Sequence, residues 1–376
     1  MTPNYQEAVV KHPRNLIIPI IAMLPMACSA ETPSGNIRLE TIAEGLEHPW
    51  SLAFLPDGDA LVTERAGRLR LIEDGELREA PIRNVPEVAA RGQGGLLDVV
   101  LHPDFETNRQ LVISYAHRTR EGMTTRVSKA TLRDNALHDR EVIFEALPRS
   151  STTRHFAGRM VFDDRNNLYI AVGDRGEKDR AQDTADDAGG VHRITMDGEP
   201  APGNPFLDNP EVNDTFYTYG NRNIQGMTRH PETGGIWSHE HGPKGGDEIN
   251  IIRAGTNYGW PAITYGIDYD GTIISEKTHM EGMAQPLHYW DPSIAPSGMA
   301  FYTGDVFPQW QGDLFVGALV MEKLVRLRIN DGTVEEEQDL LTDNGERIRA
   351  VVDGPDGHLW LLTDHADGRV VRLSPR

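Results

Sequence analysis

The chain has 376 residues, 38% of them hydrophobic, enough to bury a substantial core and too charged overall for a membrane bundle. Lys and Arg total 37 against 57 Asp and Glu, a net charge of −20. A surface that negative repels phosphate backbones and argues against nucleic acid as a partner, while leaving many carboxylates for a hard cation such as calcium.

The first feature in chain order is an apolar run, Leu16 to Cys28, preceded by Lys11 and Arg14 and followed by polar residues. At about 13 residues it falls short of the roughly 20 that span a bilayer, and Pro19 and Pro25 interrupt a permanent helix. Residues 1–28 therefore read as an export signal and 29–38 as a linker. Cys28 is the only cysteine, so no disulfide forms within the chain. Either it is an incidental small residue of the signal, or it becomes the lipid-bearing first residue of the mature protein, because Leu24 to Cys28 resembles a lipobox. Pro25 and Met26 depart from that pattern. The expected location is the periplasm, or the outer membrane through a lipid anchor.

Past residue 38 no helical apolar period of any length occurs. Short apolar runs recur instead, bounded by Gly, Asp, Asn and Pro, which predicts a nearly all-β fold. They also repeat as strand, turn, strand. The clearest copies are LAFLPDGDALVTE from Leu52, VVLHPDFETNRQLVISY from Val99, MVFDDRNNLYIAVGD from Met160, MTRHPETGGIWSHE from Met227, MAFYTGDVFPQWQGDLFVGAL from Met299 and VVDGPDGHLWLLTD from Val351. Their starts lie roughly 45 to 75 residues apart, the spacing of four-stranded blades with inserts, and predict a six-bladed β-propeller over 39–376. A seven-bladed ring with one degenerate blade is the alternative; the spacing is too wide for a β-sandwich.

In a propeller the innermost strands line a central channel, and the loops at one end of it form the usual ligand site. Polar residues flanking the apolar strands are therefore the candidates. His155 stands just before one strand and Asp174 just after the next, so the two fall at the same end of adjacent strands, where a carboxylate can orient an imidazole as a general base. Alone the pair is weak evidence in a chain with 14 histidines. Arg222 and Asn223 stand between two glycines ahead of another strand; spacing alone leaves Arg222 as either a strand-edge salt bridge or a cation aimed into the channel. The glycine-rich, acidic segment 239–261 offers main-chain carbonyls and carboxylates suited to calcium, without the regular spacing of an EF-hand. Gln93 precedes a strand, and Arg347 and Arg349, two apart, share one face and call for an anionic ligand.

Taken in order, GLEHPWSLAFLPDG, GQGGLLDVVLHPDF, HFAGRMVFDD, VGDRGEKDRAQD, GNRNIQGM, HGPKGGDEIN, TNYGWP, PSIAPSGMAFY and RIRAVVDGPDG resemble the soluble glucose/sorbosone dehydrogenase family, in its aldose sugar dehydrogenase branch. The resemblance implies a propeller holding pyrroloquinoline quinone (PQQ) and calcium on its axis and oxidising aldoses at the anomeric carbon to lactones, with an external quinone or cytochrome as final electron acceptor. It implies His155 as general base, Asp174 as its orienting carboxylate, and Arg222 as the cation that stabilises the reduced cofactor. Gln93, Arg222, Asn223, Ser293, Arg347 and Arg349 would contact the cofactor, and the carbonyls of Gly242 and Pro243 would bind calcium. Asp247, Glu248 and Tyr258 would brace the loop. The chain departs from the family in lacking a lysine at Val320 or Met321, with Lys323 displaced, and in having Ser293 where threonine is expected. Segment 208–215 and the insert 263–288 are expected at the channel mouth. Two rivals remain: a calcium-dependent propeller lactonase, against which the arginines argue, and a non-catalytic exported binding propeller.

Overall fold

The computed structural model describes residues 37–330 and 332–376; the expected signal, Cys28 and most of the linker lie outside the described residues. Six sheets succeed one another along the chain. Their innermost strands are Pro49–Phe54, Leu96–Leu101, Met160–Phe162, Ile224–Arg229, Pro296–Phe301 and Ile348–Asp353. Each is followed by antiparallel neighbours stepping outward, and five of the sheets have four strands. The third gains a short parallel strand, Thr256–Asn257, at its outer edge. Each repeat seen in the sequence is the inner pair of strands of one blade.

The sixth blade is composite. Its strands Ile348–Asp353, Leu359–Thr363 and Gly368–Pro375 are completed by Ile37–Leu46 from the start of the fold, which pairs antiparallel with Gly368–Pro375 from Ile37↔Pro375 to Leu46↔Gly368. The buried Ile37 side chain of this closing strand packs into the seam between the fifth and sixth blades.

Alternating side chains on each strand face the two neighbouring blades, so the core is distributed over the seams instead of gathered in one place. The large apolar clusters each straddle one pair of consecutive blades. Leu61 and Leu69 meet Leu111 and Ile113 across the first seam, and Trp310 and Phe315 meet Leu359 and Leu361 across the fifth.

Near the axis the backbones crowd. A Cβ on Gly298 would lie 2.5 Å from both Ala350 Cα and Val351 N on the next blade. Rigid main chain cannot yield there as a side-chain tip can. Gly298→Ala is expected to destabilise the fold by about 1–3 kcal/mol, the range for overpacking, seen as a lowered urea midpoint with an unchanged slope.

Candidate active site

All the innermost strands start at the same end of the axis, and so does the end of each second strand. That shared geometry brings the sequence candidates together. His155 precedes Met160–Phe162, Asp174 follows Leu168–Val172, Arg222 and Asn223 precede Ile224–Arg229, and Gly242 and Pro243 follow Ile236–Glu240.

His155 Nδ1 and Asp174 Oδ1 are 2.5 Å apart, with both side chains buried. Asp174 is held from three further directions: Gly176 N–H donates to Oδ1 at 2.7 Å, Trp260 Nε1–H to Oδ2 at 2.9 Å, and its own N–H to the Arg222 carbonyl at 2.8 Å. His155 has φ +49°, a conformation few non-glycine residues adopt. It is held there by Gln93, whose Oε1 accepts the His155 N–H at 2.7 Å, and by the absence of a side chain at Gly173, where a Cβ would lie 2.3 Å from the His155 carbonyl oxygen. Gln93 and Gly173 thus set the imidazole before any ligand arrives.

Burial lowers the His155 pKa, and this outweighs the Asp174 hydrogen bond and charge that favour the imidazolium. Burial alone would raise Asp174, but the bond to His155 and the charge of Arg222 hold it below the usual carboxylate range. Near neutral pH the pair is therefore a neutral imidazole on an ionised carboxylate, the state a general base requires.

Arg222 makes no ion pair among the described residues. Its Nη1 donates to the carbonyls of His241 at 3.0 Å and Gly242 at 3.1 Å, its Nη2 lies 3.5 Å from the Tyr269 hydroxyl, and its guanidinium sits 5.4 Å from the Trp260 ring centre. Of the two sequence readings, the geometry matches the cation directed into the channel. Its main-chain N–H is held by Glu240, which also accepts from Asn221 Nδ2 at 2.7 Å. Glu240 stands in register opposite Glu248. Burial pushes Glu240 up against its hydrogen bonds and the charge of Arg222, and burial together with the neighbouring Glu240 carboxylate pushes Glu248 up.

These residues surround a cavity of about 880 Å³, lined by Gln93, His155, Asp174, Arg222, Pro243 and Trp260 and, from the insert 263–288, by Asp268, Tyr269 and Ile274. A second cavity of about 310 Å³ shares Gln93 and Tyr269 with the first and adds Trp50, Phe156, Asn223, Arg65, Arg347 and Arg349. Arg347 and Arg349 both reach Asp364 Oδ2, at 3.2 and 3.1 Å, so the anion they face in the protein is this one carboxylate. Burial would raise Asp364, yet Arg349, His48 and Arg347 hold it well below the usual range. Two guanidiniums on one carboxylate leave positive charge for an acidic ligand between aromatic walls, and this arrangement fits a planar polycarboxylate such as PQQ.

One expected contact residue and one expected mouth segment line neither cavity. Ser293 is directed at the protein, since its hydroxyl donates to the Asp247 carboxylate, with Oγ 2.9 and 2.7 Å from its two oxygens, and it lines neither cavity. Segment 208–215 lines neither cavity as well: Asn213 is held against Asp187 and Thr184 on the flank of the third blade. Trp260, Glu240 and Asp364 were missed as site residues. Trp260 lies within the TNYGWP motif, but its partner Asp174 is 86 residues away and no local pattern links them.

Asp247 braces the glycine turn 242–246. Buried, it accepts from the N–H groups of Gly242 at 2.8 Å, Ile294 at 2.8 Å and Ala295 at 3.0 Å, in addition to Ser293. Asp247→Ala strands these donors and is expected to cost about 3 kcal/mol or more in urea unfolding, against about 1 kcal/mol for Ser293→Ala.

Comparison with known proteins agrees with this geometry. The family model described as glucose/sorbosone dehydrogenase matches residues 46–372. The chain is 42% identical over 366 residues to the aldose sugar dehydrogenase YliI of Escherichia coli K12, covering 96% of this chain and 98% of that protein. The crystal structure of the soluble aldose sugar dehydrogenase from Escherichia coli in its apo-form superposes with a TM-score of 0.88 at 43% identity, covering 90% of this chain and 100% of that one. The PQQ-bound form of an aldose sugar dehydrogenase from Streptomyces coelicolor superposes with a TM-score of 0.76 at 27% identity, covering 92% and 99%. The likeness thus runs along nearly the whole chain, in sequence and in fold, and the chain belongs to the glucose/sorbosone dehydrogenase family, in its aldose sugar dehydrogenase branch.

Proposed function

We propose that the protein oxidises aldoses at the anomeric carbon to lactones with PQQ and calcium, His155 acting as general base. The observation that carries this reading is the 2.5 Å contact between a buried imidazole and a buried carboxylate, on the wall of the larger cavity and beside the cation-lined smaller one.

When bound, PQQ would supply the hydride acceptor and calcium the Lewis-acid polarisation that the oxidation needs. The chain's own residues do the rest. The larger cavity admits the sugar, and Tyr269 and Ile274 of the 263–288 insert form part of its wall. His155, neutral and fixed by Gln93 and Asp174, would take the proton of the anomeric hydroxyl on its free Nε2. Asp174 keeps the Nδ1 proton in place and stabilises the imidazolium that results. Arg222, Gln93 and Asn223 would face the cofactor where negative charge develops, and Arg347 and Arg349 would hold its carboxylates. Among the described residues no group of three or more His, Cys, Asp or Glu side chains is placed to hold a metal. The main-chain carbonyls of Gly242 and Pro243 would hold the calcium, the Gly242 carbonyl being the one that accepts from Arg222 here. An external quinone or cytochrome would then collect the electrons.

Purified apoprotein is expected to reduce an artificial dye with an aldose only after PQQ and calcium are added, and sugar oxidation sustained by NAD alone would refute the proposal. His155→Gln should retain cofactor binding and melting temperature while turnover falls roughly 10²-fold or more. Asp174→Asn should give a smaller loss.

The pH dependence has a definite sign. A base works only when unprotonated, so activity is lost as pH falls through the His155 pKa. Because burial lowers that pKa, the acid limb of kcat/KM should lie below the ordinary histidine value of about 6.5. Asp174 favours the imidazolium, so Asp174→Asn should move the limb lower still; an upward movement would contradict the assignment.

We further propose that the chain is exported through its first 28 residues, with lipid attachment at Cys28 as the open variant. Intact mass after cell fractionation checks this: cytoplasmic protein beginning at Met1 would overturn export, and a lipid-sized increment on Cys28 would mark anchoring.

A further inference from the structure

Arg65 lies in the turn between strands Ala60–Glu64 and Arg68–Glu73 of the first blade, at the active-site end. It lines the smaller cavity together with Arg347, Arg349 and Val320. Its neighbours Arg68 and Arg70 both pair with Glu64, at 2.6 and 3.4 Å. The Arg65 side chain has no ion pair or side-chain hydrogen bond among the described residues; only its main chain is tied, to His48 and Leu96.

The fold makes room for this side chain. Gly95, at φ +150°, lies against it so closely that a Cβ there would be 2.6 Å from Arg65 Cγ and 2.1 Å from its carbonyl oxygen. Across the cavity stands Val320, which with Met321 is one of the two positions where the family resemblance calls for a lysine, and its side chain is largely exposed. Lys323 does not take that place, because its Nζ is bound to Asp339 at 2.7 Å. The wall formed by the fifth blade therefore supplies no cation, and the wall formed by the first supplies one without a partner. A half-buried guanidinium left unpaired in a chain of net charge −20 has a vacant role that an anionic ligand fills.

We propose that Arg65 is a cofactor-binding residue, supplying to the carboxylates of PQQ, from the first blade, the positive charge that the missing lysine would have supplied from the fifth. With Arg347 and Arg349 it makes three guanidiniums against the single carboxylate of Asp364, an excess suited to a tricarboxylate. The inference rests on the PQQ reading above and goes beyond it in assigning a residue.

The test is titration of the apoprotein with PQQ in a calcium-containing buffer, followed by calorimetry and by quenching of tryptophan fluorescence, since Trp50 lines the same cavity. Arg65→Gln is expected to weaken PQQ binding at least about tenfold, or about 1.4 kcal/mol, while Arg65→Lys stays within about threefold of the parent protein. Adding Val320→Lys to Arg65→Gln should recover most of the loss, because it returns a cation to the cavity by the other wall. Melting temperatures of the unliganded variants separate lost binding from lost folding. Parent-like affinity in Arg65→Gln, an Arg65→Lys as weak as Arg65→Gln, or no recovery with Val320→Lys would each overturn the assignment. A parent protein that fails to bind PQQ at all would instead sink the proposed function.

Discussion

The pairing of Ile37–Leu46 with Gly368–Pro375 is the constraint on which the rest depends. Strands more than three hundred residues apart must meet before the ring is closed, and the entropy of closing so long a loop is recovered only through the whole set of seams. Closure also makes the site. It sets the first blade against the sixth, so that His48 Nδ1 reaches Asp364 Oδ1 at 3.1 Å and the His48 N–H donates to His365 O at 2.8 Å. Asp364 is then fixed where Arg347 and Arg349 converge on it.

Inside a strongly acidic protein the axis is held by cations matched to single carboxylates or carbonyls. Arg159 lies over the Trp50 ring at 4.0 Å, donates to the Gln225 carbonyl at 2.9 Å and approaches Asp98 at 3.3 Å, which in turn accepts from Ser51 at 2.5 Å. This layer joins four blades beneath the cofactor cavity. Arg175, immediately after Asp174, has carbonyl partners instead: Arg154 at 3.0 Å, Met123 at 2.8 Å and Thr152 at 3.1 Å, with its guanidinium 3.8 Å from the Phe156 ring centre. Burial pushes its pKa down to about 10, still well above neutrality, so it stays charged. It clamps the segment that presents His155. Rigid supports of this kind let an imidazole be held in one orientation in a loop, where backbone freedom would otherwise blur it.

Electrostatic roles divide between the cavities. The larger one mixes both signs, with ionised Asp174 beside neutral His155, Arg222 without an ion pair among the described residues, and Arg180 bound to Asp186 at 2.7 Å. In the smaller one the guanidiniums outnumber the carboxylate, which suits an acidic cofactor and not a neutral one.

By itself the sequence determined the all-β propeller class, pointed to six blades and singled out many of the residues gathered at the channel end. Those features are local: an apolar strand, a tight turn and a second strand recur within some fifteen residues, and the active-site residues sit at fixed offsets from them. Outer strands such as Thr333–Leu340, with alternating exposed acids, carry too little apolar pattern to be read this way. Only the tertiary structure decided which of these residues meet. The Trp260 bond to Asp174, the sharing of Asp364 by Arg347 and Arg349, the turning of Ser293 toward Asp247 and the approach of Arg65 to the same cavity all join segments from different strands or blades. Such contacts depend on how the blades are set around the axis, and a one-dimensional pattern holds no information on that angle until the ring has closed.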